Sequence, residues 1–97
     1  MYARLTTFPL RPGSRAEVEE GNADWAALLV VQPGFRRCLF YFTAEEDQFG
    51  SFSLWDSREH AETVGPALGA ALGQSMGPVV QGPPTTTIVE IVHDAGS

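Results

Sequence analysis

Basic residues and cysteine are scarce in this sequence of 97 residues. Six Lys and Arg residues stand against twelve Asp and Glu residues, which gives a formal net charge of −6. Nucleic acids and anionic membrane surfaces attract proteins through clustered positive charge. We therefore expect neither a nucleic acid nor a membrane among the partners of this protein.

The single cysteine, Cys38, excludes an intramolecular disulfide and a metal cluster built on cysteine. It lies in the apolar segment Arg37-Cys38-Leu39-Phe40, which favours a buried, unreactive thiol over a nucleophile. The two histidines, His60 and His93, have no carboxylate cluster at the spacing of metal ligands. We therefore expect no metal and no cofactor.

Long apolar segments are also absent, so no membrane-spanning helix is expected. Residues Met1 to Thr6 lack the basic-then-apolar pattern of a signal peptide, which predicts a cytoplasmic protein. The length allows one domain with a small core, predicted over residues 1–92, and residues 93–97 are predicted to form a flexible tail. A second copy of the chain would supply further buried area.

Breaks at proline and glycine separate apolar segments that predict alternating strands and helices. In order they are a strand Tyr2–Phe8, a helix from Arg15 to about Val31, strands Phe35–Thr43 and Phe49–Trp55, a helix after Ser57, and a strand Thr85–Val92. Ser14 and Glu17 have the spacing of a capping box, and Ser57 is the predicted N-cap of the second helix. Gly65-Pro66 is expected to break that helix, because proline has no N–H for a helix interior. The piece after the break, through Met76, is either a lid or loosely packed.

The order strand, helix, strand, strand, helix, strand predicts an α+β, ferredoxin-like βαββαβ fold. Such a fold has a four-stranded antiparallel sheet with both helices on one face. The segment Phe35–Thr43 is apolar on both faces, which predicts a central strand. The open face of the sheet is then expected to be covered by a second subunit.

Three segments of the chain resemble a known family. Trp25 lies near the end of the first helix, Gln32-Pro33-Gly34-Phe35 leads into the second strand, and Ser53-Leu54-Trp55-Asp56-Ser57, followed by Ala61, leads into the second helix. They are similar to the corresponding segments of the antibiotic biosynthesis monooxygenase (ABM) domain of the dimeric α+β barrel superfamily. The resemblance covers Tyr2 to Val92 and implies a homodimer with two facing sheets and a pocket between sheet and helices in each subunit.

One branch of that family oxidises aromatic polyketides to quinones without metal or flavin, because the anion of the substrate itself reduces dioxygen. Its pattern implies a pocket Trp at Trp55, whereas Ser51 and Ala61 stand where that branch has Asn and Tyr, and no Arg follows in the helix.

A second branch degrades haem with an Asn, a Trp and a His. Thr6, Val64 and either Gly73 or Gln74 stand at those positions, so the resemblance implies no haem ligation.

The candidate site comprises eight side chains. The predicted substrate-binding residues are Trp55, Asn22, Ser51, Ser53 and Trp25, and the predicted catalytic residues are His60, Arg4 and Tyr41. Trp55 is either a core plug or a flat wall that stacks on an aromatic ligand. In the second case, its replacement by Ala is expected to abolish ligand binding and leave a folded dimer. Asn22 either lines a gap beside Gly21 or turns toward solvent.

The catalytic candidates also have two interpretations each. His60 is either a solvated residue of the first helical turn or a general base. Arg4 either binds an anionic group of the ligand or pairs with Glu90. Tyr41 either donates a hydrogen bond to a phenolic substrate or packs in the dimer core.

Two functions follow from this sequence. The first is a homodimeric, cofactor-independent monooxygenase that uses dioxygen to convert a small aromatic, polyketide-like phenol to a quinone. The alternative is a non-catalytic homodimeric module that binds a ligand with the same fold. The lost Asn and Tyr positions at Ser51 and Ala61 favour the alternative.

Overall fold

The computed structural model describes residues 1–96, without the side chains of residues 70, 72 and 75. Its elements are β1 Tyr2–Pro9, α1 Arg15–Val30, β2 Phe35–Phe42, β3 Gln48–Trp55, α2 Arg58–Met76 and β4 Thr85–Glu90. The strands form one antiparallel sheet in the order β2-β3-β1-β4. The predicted ferredoxin-like βαββαβ fold is confirmed, with each boundary within two residues of its predicted place except in α2.

The prediction that the second strand is central is wrong, because β2 is an edge strand and β1 and β3 lie at the centre. A bulge between Phe35 and Arg37 sets which residues of β2 face the helices. The opposite side of β2 carries Leu39 and Tyr41, whose surfaces are 50% and 37% exposed. Apolar residues on both faces of this strand therefore mark an uncovered face rather than a central position.

The predicted break of the second helix is also wrong, because α2 runs without interruption through Pro66. Ser57 caps its start as predicted, since its side chain accepts the backbone N–H of His60 at 3.2 Å. Proline removes one helical hydrogen bond in mid-helix. Val64 and Leu68, on either side of Pro66, are buried in the core and hold the axis of the helix in place. The structure therefore contains no hinge at this point.

The predicted capping box at the first helix does not form. Ser14 has a helical backbone, with φ −89° and ψ −4°, and its side chain makes no capping bond. Its hydroxyl instead donates to the carbonyl of Arg11 at 2.7 Å, which closes the turn before the helix. An N-cap needs an extended backbone to direct its oxygen at the helix N–H groups, so the Ser14 conformation excludes the box.

Two hydrophobic clusters fill the space between the sheet and the helices. One comprises Leu10, Val18, Trp25, Phe49, Met76 and Val79, and the other comprises Leu29, Trp55, Ala61, Val64 and Leu68. Successive side chains of a strand point to opposite faces. The pairing register consequently places Arg4, Thr6 and Phe8 of β1 on the same face as Ser53, Ser51 and Phe49 of β3.

No helix among residues 1–96 combines the length and the apolar character that crossing a bilayer requires.

Candidate functional site

A cavity of about 70 Å³ lies where the two hydrophobic clusters meet, between the helix side of the sheet and both helices. Its walls are formed by Phe8, Trp25, Leu28, Leu29, Phe40, Phe49, Val64, Leu68 and Met76, with Arg4, Thr6, Ser51, Ser53 and Gly65 completing the lining. An apolar cavity of about 150 Å³ is known to hold benzene. An aromatic ring therefore enters this cavity only when side chains of the wall move apart.

The polar part of the lining is a row of side chains on the two central strands. Arg4 lies opposite Ser53, and Thr6 lies opposite Ser51. The hydroxyl of Ser53 accepts the indole N–H of Trp55 at 2.9 Å and donates to the carbonyl of Arg4 at 3.3 Å. The hydroxyl of Thr6 lies 3.3 Å from that of Thr86. The hydroxyl of Ser51 makes no hydrogen bond to any residue that the structure describes.

Arg4 extends from β1 across the cavity to α2. Its Nη1 donates to the carbonyl of Ala61 at 3.2 Å, and a Cβ added at Gly65 would lie 2.6 Å from its Nη2. Within the described residues, no carboxylate lies within salt-bridge distance of this guanidinium. Glu90, the predicted alternative partner, instead accepts the hydroxyl of Tyr2 at 3.3 Å. Burial lowers the pKa of Arg4 from its usual value.

Trp25 reaches the cavity from α1. Only 4% of its surface is exposed, and its ring packs against Phe49 and Phe40 with centroid distances of 5.7 and 6.4 Å. A Cβ at Gly21 would lie 2.9 Å from its Cζ2, so the glycine in mid-helix gives the indole its space. The Nε1–H of Trp25 and the Oδ1 of Asn22 are both buried without a hydrogen-bond partner. Such groups are uncommon in folded proteins and indicate a missing partner.

Trp55 lies behind the cavity and does not line it. Its side chain is fully buried, and its ring meets that of Phe35 edge to face at 5.4 Å. The structure therefore makes Trp55 the plug of the corner between β3 and α2. Ser51 and Ser53 lie on the same side of the strand as Trp55, as the alternation of β3 predicted, and both reach the cavity.

His60 and Tyr41 lie outside the cavity. The His60 ring covers the backbone of Gly34, where no Cβ has room, and its Nδ1 is 2.9 Å from the Ser57 hydroxyl. Tyr41 lies over Gly50 on the opposite face of the sheet, with its hydroxyl 3.0 Å from that of Thr7. Because Tyr41 alternates with Phe40, it cannot share the helix-side cavity of its own subunit. Of the three predicted catalytic residues, only Arg4 thus lines the cavity of its own chain.

Cys38 is partly buried against the second cluster. Desolvation by burial raises the pKa of its thiol to about 11. The thiolate is the nucleophilic form of cysteine, and this shift disfavours it, which agrees with the expected low reactivity of the thiol.

The chemistry available in the cavity is that of hydrogen-bond donation to a largely apolar ligand. Among the residues that the structure describes, its lining includes one cation, three hydroxyl groups and the indole ring of Trp25, but no carboxylate and no imidazole. Among the described residues, no group of three His, Cys, Asp or Glu side chains could hold a metal ion. Sequence reasoning missed Thr6 and Gly65; Thr6 follows Arg4 by two positions, so strand alternation could have identified it.

No family sequence model matches the chain, and no characterised protein matches it by sequence. Its fold nevertheless matches solved structures over nearly the full length of both chains. A proposed antibiotic biosynthesis monooxygenase from Bordetella bronchiseptica is 16% identical, with 95% of this chain and 97% of that chain covered and a TM-score of 0.82.

Two further structures come from streptomycetes. A monooxygenase from the gene ActVA-Orf6 of Streptomyces coelicolor, in complex with nanaomycin D, is 16% identical over 99% of this chain and 91% of that chain, with a TM-score of 0.78. SnoaB of Streptomyces nogalater is a cofactor-independent oxygenase whose structure is that of a mutant. It is 15% identical over 99% of this chain and 97% of that chain, with a TM-score of 0.78. This chain therefore has the fold of the antibiotic biosynthesis monooxygenase proteins.

Proposed function

We propose that this protein binds a small aromatic phenol in the cavity between sheet and helices and oxidises it with dioxygen, without metal or flavin. The observation that carries the proposal is an aromatic-walled cavity in which Arg4 is the one cation among the described lining residues. Support also comes from two proteins of the same fold, one bound to nanaomycin D and the other a cofactor-independent oxygenase.

The reaction draws its electrons from the substrate. A ring CH₂ group next to a phenol, as in an anthrone, ionises and reduces dioxygen; one oxygen atom becomes the new carbonyl and the other leaves as water, with both CH₂ hydrogens. The protein supplies three contributions. The charge of Arg4 favours the ionised phenol, the apolar walls exclude water, and Trp25 orients the ring.

Because no carboxylate or imidazole lies among the lining residues that the structure describes, we propose that the substrate ionises beside Arg4 without a protein base. An opposite charge within about 4–6 Å typically lowers the pKa of an acidic group by about 1–3 units. The rate of oxidation is therefore expected to rise with pH until the bound phenol is fully ionised, and to level off there.

The active form is proposed to be a homodimer. Apolar side chains are exposed on the face of the sheet that carries no helix, with Leu39 at 50% and Val89 at 38% exposure. A groove of about 240 Å³ on the same face is lined in part by Phe52 and Leu54. A second copy that lays its own sheet on this face would remove these side chains from water, which favours association.

Binding without turnover is the second candidate function. It is favoured by the positions of His60 and Tyr41, neither of which reaches the cavity. A protein of this kind would hold an aromatic metabolite in the same cavity and release it unchanged.

Oxygen uptake separates the two functions. The purified protein is treated with a chelator and mixed with an anthrone, and oxygen consumption and quinone absorbance are followed against a protein-free blank. Uptake above the blank, reduced in an Arg4→Gln variant, is the result expected of the oxygenase. Saturable binding of the same compounds without uptake would reject oxygenation and leave the binding protein.

A further inference from the structure

The free polar groups in the described lining of the cavity all include a hydrogen-bond donor. Three side chains of the lining have donor groups that make no hydrogen bond within the described part of the chain. These groups are Nε and Nη2 of Arg4, the hydroxyl of Ser51 and Nε1 of Trp25. The hydroxyl of Ser53 is already occupied by Trp55 and by the carbonyl of Arg4. A ligand that satisfies this lining therefore presents acceptor oxygens.

The guanidinium of Arg4 is held in one orientation by α2. Its Nη1 is fixed on the carbonyl of Ala61, and its Nη2 lies against Gly65, where any side chain would displace it. The edge formed by Nε and Nη2 remains, and this edge offers two parallel N–H groups to a carboxylate. A partly buried cation without a counter-ion is costly, so an anion is the partner that this position lacks.

The second donor group lies further along the sheet. Ser51 is two positions from Ser53 and therefore about 7 Å further from Arg4 along the strands. Phe40 lies opposite Ser51, and the ring of Trp25 packs on Phe40 with 6.4 Å between centroids. The free donors thus lie at two ends of an aromatic-walled space, separated by about the length of a fused two-ring system.

We propose that the cavity selects small aromatic carboxylates. The carboxylate pairs with Nε and Nη2 of Arg4, and an acceptor oxygen at the far end of the ring system accepts the hydroxyl hydrogen of Ser51. Gly65 is the positioning residue that lets the guanidinium stand against the helix. The inference rests on the proposed function in one respect, namely that the cavity takes an aromatic ligand at all. A carboxylate on the free edge of Arg4 takes the place that the ionised phenol has in the proposed reaction, so the two anions compete for this edge.

The test compares two probes of nearly equal shape, 2-naphthoate and 2-naphthamide, by isothermal titration calorimetry. A hydrogen bond to a charged group corresponds to about tenfold to a hundredfold in affinity, so the wild-type protein is expected to bind the acid at least about tenfold more tightly than the amide. Arg4→Gln and Gly65→Ala are expected to lose this preference. Gly69→Ala, a substitution in the same helix whose added methyl meets no atom within 4 Å, is expected to keep it.

The outcomes distinguish the separate steps. Equal affinity for acid and amide in the wild type, or a preference that survives in Arg4→Gln, overturns the carboxylate selection and leaves an aromatic-binding cavity. A preference in Gly65→Ala equal to that of Gly69→Ala overturns the positioning role of Gly65. An intact preference together with no oxygen uptake rejects the oxygenase alone. Failure to bind either probe, together with oxygen uptake from an anthrone, overturns the carboxylate selection alone, and failure to bind either probe without oxygen uptake rejects both proposals. Far-ultraviolet circular dichroism checks that each variant is folded.

Discussion

Replacing Trp55 with Ala removes a side chain that is fully buried in the core behind the cavity. The indole packs in one cluster with Leu29, Val64 and Leu68 and donates its N–H to Ser53 at 2.9 Å. The sequence predicted that the substitution abolishes ligand binding. Because the indole is buried, the substitution is instead expected to lower the free energy of unfolding. Truncation of a buried tryptophan to alanine typically costs about 3–5 kcal/mol.

That loss is large for a domain of this size, whose free energy of unfolding is typically about 5–15 kcal/mol. With a denaturant slope of about 1–3 kcal/mol per molar urea, the urea midpoint of Trp55→Ala should fall by at least about 1 M. The melting temperature should fall by at least about 12 °C, since 1 kcal/mol shifts it by about 4–8 °C in small domains. Circular dichroism at one fixed protomer concentration measures both, because association would make stability depend on concentration.

Trp55→Phe is the matched control. It keeps a ring against Phe35 and loses the hydrogen bond to Ser53, so a smaller loss of about 1–2 kcal/mol is expected. A loss of less than about 1 kcal/mol in Trp55→Ala, together with the disappearance of ligand binding, would contradict the role of Trp55 as a core plug. Such a loss in the free energy of unfolding is well below that expected for truncation of a buried tryptophan. That result would place the indole in the binding site.

Further predictions concern the backbone, the thiol and the proposed dimer. Gly34→Ala should destabilise the fold by more than Gly13→Ala. Both positions have a positive φ, 76° and 77°, but only at Gly34 would the added methyl collide with the His60 ring. Equal urea midpoints for the two variants would contradict this contact. Because burial raises the pKa of Cys38 from 9.0 to about 11, the unfolded chain ionises first, and stability should fall as pH rises through that window. A Cys38→Ala variant should lack this component, and identical pH profiles for the two proteins would disprove it. Leu39→Glu should convert a dimer to a monomer in sedimentation velocity at micromolar concentration, and a wild-type monomer there would reject the dimer.

Much of the fold could be predicted because its signals are local. Proline and glycine end the strands, Ser57 caps α2 through the N–H of His60, and alternation along β3 puts Ser51 and Ser53 on one face. Each of these depends on a few neighbouring residues and on backbone stereochemistry. The same patterns predicted that Ser51, Ser53, Arg4 and Trp25 belong near a pocket, and all four line the cavity.

The remaining errors arose where distant parts of the chain decide the outcome. Pro66 lies in an unbroken helix because Val64 and Leu68 are held by the core. The helix propensity of proline contains no information about this packing. The edge position of β2 follows from the pairing of β1 with β3, a contact between residues far apart in sequence.

The order of the elements, the acidic charge and the resemblance to the ABM fold could all be obtained from the sequence. The roles of the two tryptophans depend on the tertiary structure. Trp55 fills the corner between β3 and α2, and Trp25 forms part of the cavity wall. The physical reason is that burial and hydrogen bonding depend on what packs against a side chain. The indole of Trp55 finds an acceptor in Ser53, whereas the indole N–H of Trp25 finds none among the described residues, and its ring lines the cavity.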